Sequence, residues 1–158
     1  LTQLGVKGRN WGAAVAYRYG TENSSLRDAN FSSRVPDGGS SNSLSVGGYW
    51  SPVDSGWAPS ISAGYGYTWQ DEGIDDSQTW MVGLQWSDVF IDGNAAGFAV
   101  GQPPFTGGEN NSMLYELFYR FRVSDNITIT PALFYADEPS TNRGNDAWGG
   151  VIQTSFKF

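Results

Sequence analysis

The 158 residues carry 16% charged side chains, against roughly 25% in an ordinary soluble domain, while aromatics reach 15% and glycines number 21. A net charge of −7 excludes a phosphate-backbone binder, which needs clustered Lys and Arg, and no nucleic-acid partner is expected. The absence of Cys and His removes disulfides, thiolate and imidazole metal ligands and the Ser-His-Asp arrangement, so no cofactor and no enzymatic activity are expected. No run of about 18 apolar residues occurs, which excludes a membrane-spanning helix and leaves a membrane barrel open.

The dominant signal is period-two alternation in segments of about ten residues separated by turn formers. Leu1 to Gly5 reads as the tail of an earlier strand that turns at Lys7 to Arg9, so further strands are expected ahead of it. About eight segments follow. Residues 9–19 place Trp11, Ala13, Val15, Tyr17 and Tyr19 on one face, with Arg18 on the other. Residues 43–50 align Leu44, Val46 and Trp50, and residues 57–69 set Ile61, Ala63, Tyr65, Tyr67 and Trp69 against Ser60, Ser62, Gly64, Gly66 and Thr68. Residues 78–86 carry Trp80, Val82, Leu84 and Trp86, and the weaker run 95–101 carries Phe98 and Val100. In 112–123, Met113, Tyr115, Leu117, Tyr119 and Phe121 oppose Glu116, Arg120 and Arg122, but Leu114 and Phe118 share the polar side and break the rule. Residues 126–136 and 146–158 close the series, with Pro131 expected to force a bulge or bend.

The polar face is mostly Gly, Ala and Ser rather than the Lys and Glu that bulk water favours, which suits the wall of a lumen and turns the apolar face toward lipid. The expected fold is therefore all-β, a transmembrane antiparallel up-and-down barrel, with residues 1–158 as part of a single barrel domain. Longer connections alternate with shorter ones, which assigns the longer to the cell exterior and the shorter to the periplasm. Trp11, Trp50, Trp57 and Trp86 then fall at the periplasmic membrane interface and Trp69, Trp80 and Trp148 at the external one. Arg18, Glu116, Arg120, Arg122 and Lys157 are the pore-lining candidates, four cations against one anion, set against the bland reading that they only hydrate the lumen. The carboxylates of Asp71, Glu72, Asp75 and Asp76 read as a solvated external loop in preference to a divalent-cation site, since the ligand order of an EF-hand is missing.

The strand Glu116-Leu117-Phe118-Tyr119-Arg120-Phe121, the turn Ser124-Asp125-Asn126, the run Ile127-Thr128-Ile129-Thr130-Pro131-Ala132 and the closing Thr154-Ser155-Phe156-Lys157-Phe158 resemble the C-terminal strands of cyanobacterial outer-membrane porins of the OprB-like, carbohydrate-selective family. That resemblance implies a barrel of about sixteen strands, of which this chain forms the second half, around a water-filled channel for sugars and inorganic ions. It also implies an outer-membrane location among lipid and lipopolysaccharide, a homotrimer, and an assembly signal at Phe156 and Phe158 read by the barrel-assembly machinery. The S-layer-homology domain of family members has no counterpart in these residues, so wall binding is not implied. The competing expectation is a small self-closed barrel of about eight strands with a structural or adhesive role.

Overall fold

A computed structural model gives the fold, with residues 1–24, 35, 37–53, 56–70, 76–106, 112–137 and 146–158 described. Its elements are nine strands: β1 (Thr2–Lys7), β2 (Trp11–Thr21), β3 (Ser40–Trp50), β4 (Ser60–Gln70), β5 (Ser77–Ser87), β6 (Ala95–Thr106), β7 (Met113–Arg122), β8 (Ile127–Asp137) and β9 (Ala147–Phe156). They form one antiparallel sheet in sequence order, β1 beside β2 through to β9, an up-and-down meander with no crossover. The sheet is open, with β1 and β9 each paired on one side only.

The strands follow from the alternation. Most pleats send Trp, Tyr, Val, Leu and Ile to one side and Gly, Ala, Ser and Thr to the other, with exceptions such as Tyr49 and Met81, and the pairing keeps those sides in phase from strand to strand. Along one row, Ala13 meets Gly48, then Ala63, Val82, Val100, Tyr115, Tyr135 and Trp148. A slip of one residue anywhere would turn every ring of that strand to the opposite side. Among the described residues no second layer covers either face. Among the described residues only Val35, Ala95 and Ala132 are buried hydrophobics, whereas Val46, Leu117, Ile152 and Trp148 lie 54%, 56%, 73% and 76% exposed. A soluble sandwich places such side chains inside.

The strand the sequence reads as a tail is β1, and it brings the total to nine rather than eight. β6 runs on to Thr106, beyond Gly101, where the sequence pattern stops, and through the Pro103-Pro104 pair. The ladder absorbs the prolines by a register shift: Gln78 pairs with Phe105 but Trp80 with Gln102, so one extra residue stands on β6. The pairing of β6 with β7 ends at Gly101, so no partner on that side asks the prolines for an N–H. Pro131 behaves differently from expectation. The ladder to β7 lapses at Tyr119 and Arg120 and resumes in the same register at Phe121↔Ile129, so the proline opens a gap without a bulge.

Trp57, expected within a strand, sits instead in the connection after Gly56 (φ 42°) and is 88% exposed; its carbonyl accepts the Trp86 indole N–H at 3.1 Å. The neighbouring β5–β6 turn is tied to β7 by Asn94, which is 3% exposed. Its side-chain oxygen accepts the Arg122 backbone N–H at 2.9 Å, and its amide donates to the Tyr119 hydroxyl at 3.0 Å. That hydroxyl donates in turn to the Val89 carbonyl at 2.7 Å, which holds Phe90 in a left-handed conformation (φ 64°) with its ring 6.2 Å from Tyr119.

Close backbone approach makes one glycine obligatory. A Cβ at Gly101 would lie 2.6 Å from the Trp80 carbonyl oxygen and 3.1 Å from Met81 Cβ, whereas one at Gly149 would meet nothing within 4 Å. Gly101→Ala in the full-length protein is expected to cost about 1–3 kcal/mol, and Gly149→Ala less than about 0.5, read as the urea midpoint in detergent micelles.

Candidate functional site

The face of small residues is the candidate. Its middle is a row of registered positions, Gly12, Tyr49, Ser62, Gly83, Ala99, Glu116, Phe134 and Gly149, one from each of β2 to β9. Over β1 to β5 most side chains around that row are short, Gln3, Lys7 and Met81 excepted. They line a trough of about 720 Å³ floored by Ala14, Ala16, Ser45, Gly47, Gly64 and Gly66. Over β6 to β9 the same face carries Phe118, Glu116, Arg120, Thr130 and Gln153, grouped around a second depression of about 460 Å³. The two halves of the face therefore differ chiefly in size, with mostly short side chains over β1 to β5, where Lys7, Arg18, Tyr49 and Met81 are exceptions, and bulkier ones on the other half.

The five charged candidates all fall on this face by strand parity, at different heights. Glu116 and Arg120 share the second depression with Gln85 and Gln153. Arg18 stands opposite Ser43 at the far end of β2, beside the connection to β3. Arg122 lies at the rim, where its guanidinium forms an ion pair at 2.5 Å with Asp125 of the β7–β8 turn, both side chains largely exposed. Lys157 is at the same rim, its backbone N–H donating to the Asn126 carbonyl at 2.9 Å. The fold thus brings Glu116 and Arg120 together and holds the other three apart from them.

Sequence reading passed over Tyr49, Gln85 and Gln153 as site residues and treated Phe118 as an irregularity. The signal for Phe118 was its breach of the alternation, since a bulky apolar side chain on a polar face is a local inconsistency that function often explains. Tyr49 was masked by Trp50 beside it.

On the opposite face the aromatics collect at the strand ends. Trp11 pairs with Trp50 at the end that carries the Gly8–Trp11 turn, and Trp57 and Trp86 are linked there by their hydrogen bond. At the other end ring donors meet acceptors on the adjoining strand or connection. The Tyr17 hydroxyl donates to Asn42 at 2.6 Å, Tyr65 to Gln78 at 3.2 Å and Tyr135 to Asp146 at 2.8 Å, and the Trp80 indole donates to Gln102 at 3.2 Å. Trp148 packs against Tyr135 with ring centroids 4.6 Å apart at a tilt of 42°, and Trp69 stacks with Tyr67 at 6.2 Å. These polar pairs bound the apolar band at that end. Phe156 pairs with Ile127 at the last rung of β9, and Phe158 beyond it is fully exposed. The acidic loop at 71–75 lies outside the described residues, and of its carboxylates only Asp76 is placed, accepting the Tyr67 hydroxyl at 2.5 Å. Among the described residues no cluster of carboxylates could hold a metal ion.

Comparison with known proteins agrees with this geometry. Over 92 residues, 53% of this chain, it is 35% identical to the uncharacterized protein alr4550 of Nostoc sp.. Over 118 residues, 67% of the chain, it is 34% identical to the uncharacterized protein sll0772 of Synechocystis sp.. The aligned stretches span 16% and 22% of those two proteins' own lengths. No solved structure matches. The family model described as carbohydrate-selective porin, OprB family, matches residues 14–158, nearly the whole of the nine-stranded sheet, and the chain belongs to that family.

Proposed function

We propose that this chain forms one side of an outer-membrane porin, a passive, water-filled channel for small hydrophilic solutes, sugars and inorganic ions among them, rather than an enzyme. The observation that carries the reading is the inverted sheet: large apolar side chains stand uncovered on one face while the backing face is mostly Gly, Ala, Ser and Thr, with a few charges and a minority of larger side chains such as Tyr49, Met81 and Phe118. That distribution fits hydrocarbon on the first side and water on the second. Membership of a porin family supports a channel, and relatives in Nostoc and Synechocystis support a cyanobacterial-type outer membrane. The ring donors at the strand ends suit membrane interfaces, where a ring sits half in lipid with its polar tip wet. Trp11, Trp50, Trp57 and Trp86 take the periplasmic interface in this reading, and Trp69, Trp80 and Trp148 the external one, next to lipopolysaccharide. Phe156 and Phe158 serve as the signal to the assembly machinery, and the channel works as a homotrimer.

Strand direction favours a larger barrel over a self-closed one. In an up-and-down sheet alternate strands run alike, so β1 and β9 point the same way. Joining them would make a parallel seam, which a meander does not support. An odd number of further strands between them restores an antiparallel seam and satisfies edge groups that lipid leaves unpaired. A barrel of about sixteen strands meets that condition, with residues 1–158 as its second half.

Two measurements test the reading on the full-length protein. Val46→Arg, on the face assigned to lipid, is expected to lower stability by about 2–4 kcal/mol in bilayers, whereas Ser45→Arg on the backing face is tolerated; equal losses in a vesicle-folding titration would reverse the face assignment. In planar bilayers the protein should give stepwise ohmic currents, and Arg120→Glu should move the reversal potential in a KCl gradient toward cation preference. A barrel that folds and passes no current would remove the channel.

A further inference from the structure

The lapse of the ladder beside Pro131 comes down to one missing hydrogen bond. Val123 donates its backbone N–H to the Ile127 carbonyl at 3.0 Å, across the β7–β8 turn, whereas the Arg122 N–H turns to Asn94 on the β6 side at 2.9 Å. Successive residues of a strand alternate in this way, so Tyr119 turns its backbone toward β8 and Pro131 turns its own toward β7. The two face each other at a position where a pair exchanges two bonds. Proline has no N–H, so the Tyr119 carbonyl oxygen is left without its ladder donor. That single loss accounts for both absent rungs, at Tyr119 and Arg120, and for the unchanged register beyond them.

Tyr119 and Pro131 both line a groove of about 620 Å³ on the face assigned to lipid. Its floor is Ala96, Pro131 and Gly150, and its sides are Leu117, Leu133 and Ile152, which are 56%, 59% and 73% exposed. Packing does not demand the glycine: a Cβ there would meet the Ala132 carbonyl oxygen and a Leu133 methyl at an ordinary 3.5 Å. Its missing side chain instead gives the groove depth. Polarity is ordered along it. Tyr119 stands three residues, roughly 10 Å, from the end of β7, with its hydroxyl tied to the β5–β6 turn, whereas the row of Leu117, Leu133 and Gly150 lies farther toward the middle of the sheet.

We propose that this groove binds one phospholipid of the periplasmic leaflet whose headgroup carries N–H or O–H donors, with the headgroup on the Tyr119 carbonyl oxygen and an acyl chain along Leu117, Leu133 and Gly150. The proposal rests on the assignment of this face to lipid and goes beyond the channel. A polar acceptor near the membrane interface, with apolar walls farther in, matches the order in which a lipid of that leaflet presents head and tail. Hydrocarbon cannot satisfy a carbonyl, and an unpaired one is costly at membrane depth. A headgroup donor removes that cost, and a headgroup without donors leaves it.

The experiment offers the full-length protein equal amounts of phosphatidylethanolamine and phosphatidylcholine with identical acyl chains, and identifies the retained lipid by native mass spectrometry. Both headgroups are zwitterionic, and only the first has N–H donors. Wild type should retain one phosphatidylethanolamine in preference to phosphatidylcholine by roughly 3- to 10-fold. Pro131→Ala supplies the missing N–H from within the ladder, so its preference should fall to near unity while a lipid is still held. Gly150→Leu fills the groove and should lower retention of both lipids by roughly 3-fold or more. Heat-modifiable migration on gels checks that each variant has folded, and single-channel current is read in parallel. No retained lipid, equal retention of the two by wild type, or a preference that survives Pro131→Ala overturns the site. Current without preference overturns the site and leaves the porin standing, whereas preference without current supports the site and removes the channel.

Discussion

Each strand of this sheet depends on its neighbour for its backbone hydrogen bonds, and the ladder runs through eight antiparallel pairings with only local lapses. With so few buried side chains, that ladder carries the organisation that a hydrophobic core carries in a soluble domain. Two consequences follow from it. Registers must agree all the way across, because one slip would set a strand's rings among its neighbours' small residues. The edges at β1 and β9 must also find partners, since an unpaired row of N–H and C=O groups is costly wherever water is excluded.

The same ladder shapes the wall. Because neighbouring strands lie close, a ring can lie flat only where the strand beside it offers no Cβ, and Gly12 and Gly97 provide those places for Tyr49 and Phe118. Glycine here sets the attitude of a side chain on the next strand as well as freeing its own backbone. The short residues of β2 to β5 leave the trough, and the longer ones of β7 to β9 narrow the opposite part of the face, so chemical contrast across the wall comes from residue size before charge. Charge is then concentrated by height. Glu116 and Arg120 are set into the wall, while Arg122 is held at the rim by Asp125.

The strand ends show how the boundaries of the band are made. At one end, Asn94 ties the β5–β6 turn to β7 through its amide and carbonyl, and the turn in turn positions Phe90 beside Tyr119. At the other, Tyr and Trp donors close onto Asn, Gln and Asp of the adjoining segment, so each polar tip is satisfied without leaving the apolar face. The two ends use different solutions to the same requirement, that a polar group beside an apolar band be paired.

Alternation is a local property, repeated every second residue, and the amino-acid sequence alone carried it: the all-β fold, the separation of faces, and the strands holding Val15, Leu44, Tyr65, Leu84 and Leu117 were legible there. Strand ends were less so. Ser40 to Asn42 joins β3 because it pairs with Tyr19 to Thr21, although its own pattern is polar, and β6 continues through two prolines because its partner permits a bulge. What lies beside what was decided by tertiary structure. Placing Phe118 over Gly97, Gln85 near Arg120, or Asn94 under Tyr119 requires the register between strands, and register belongs to pairs of segments, so no single segment contains it.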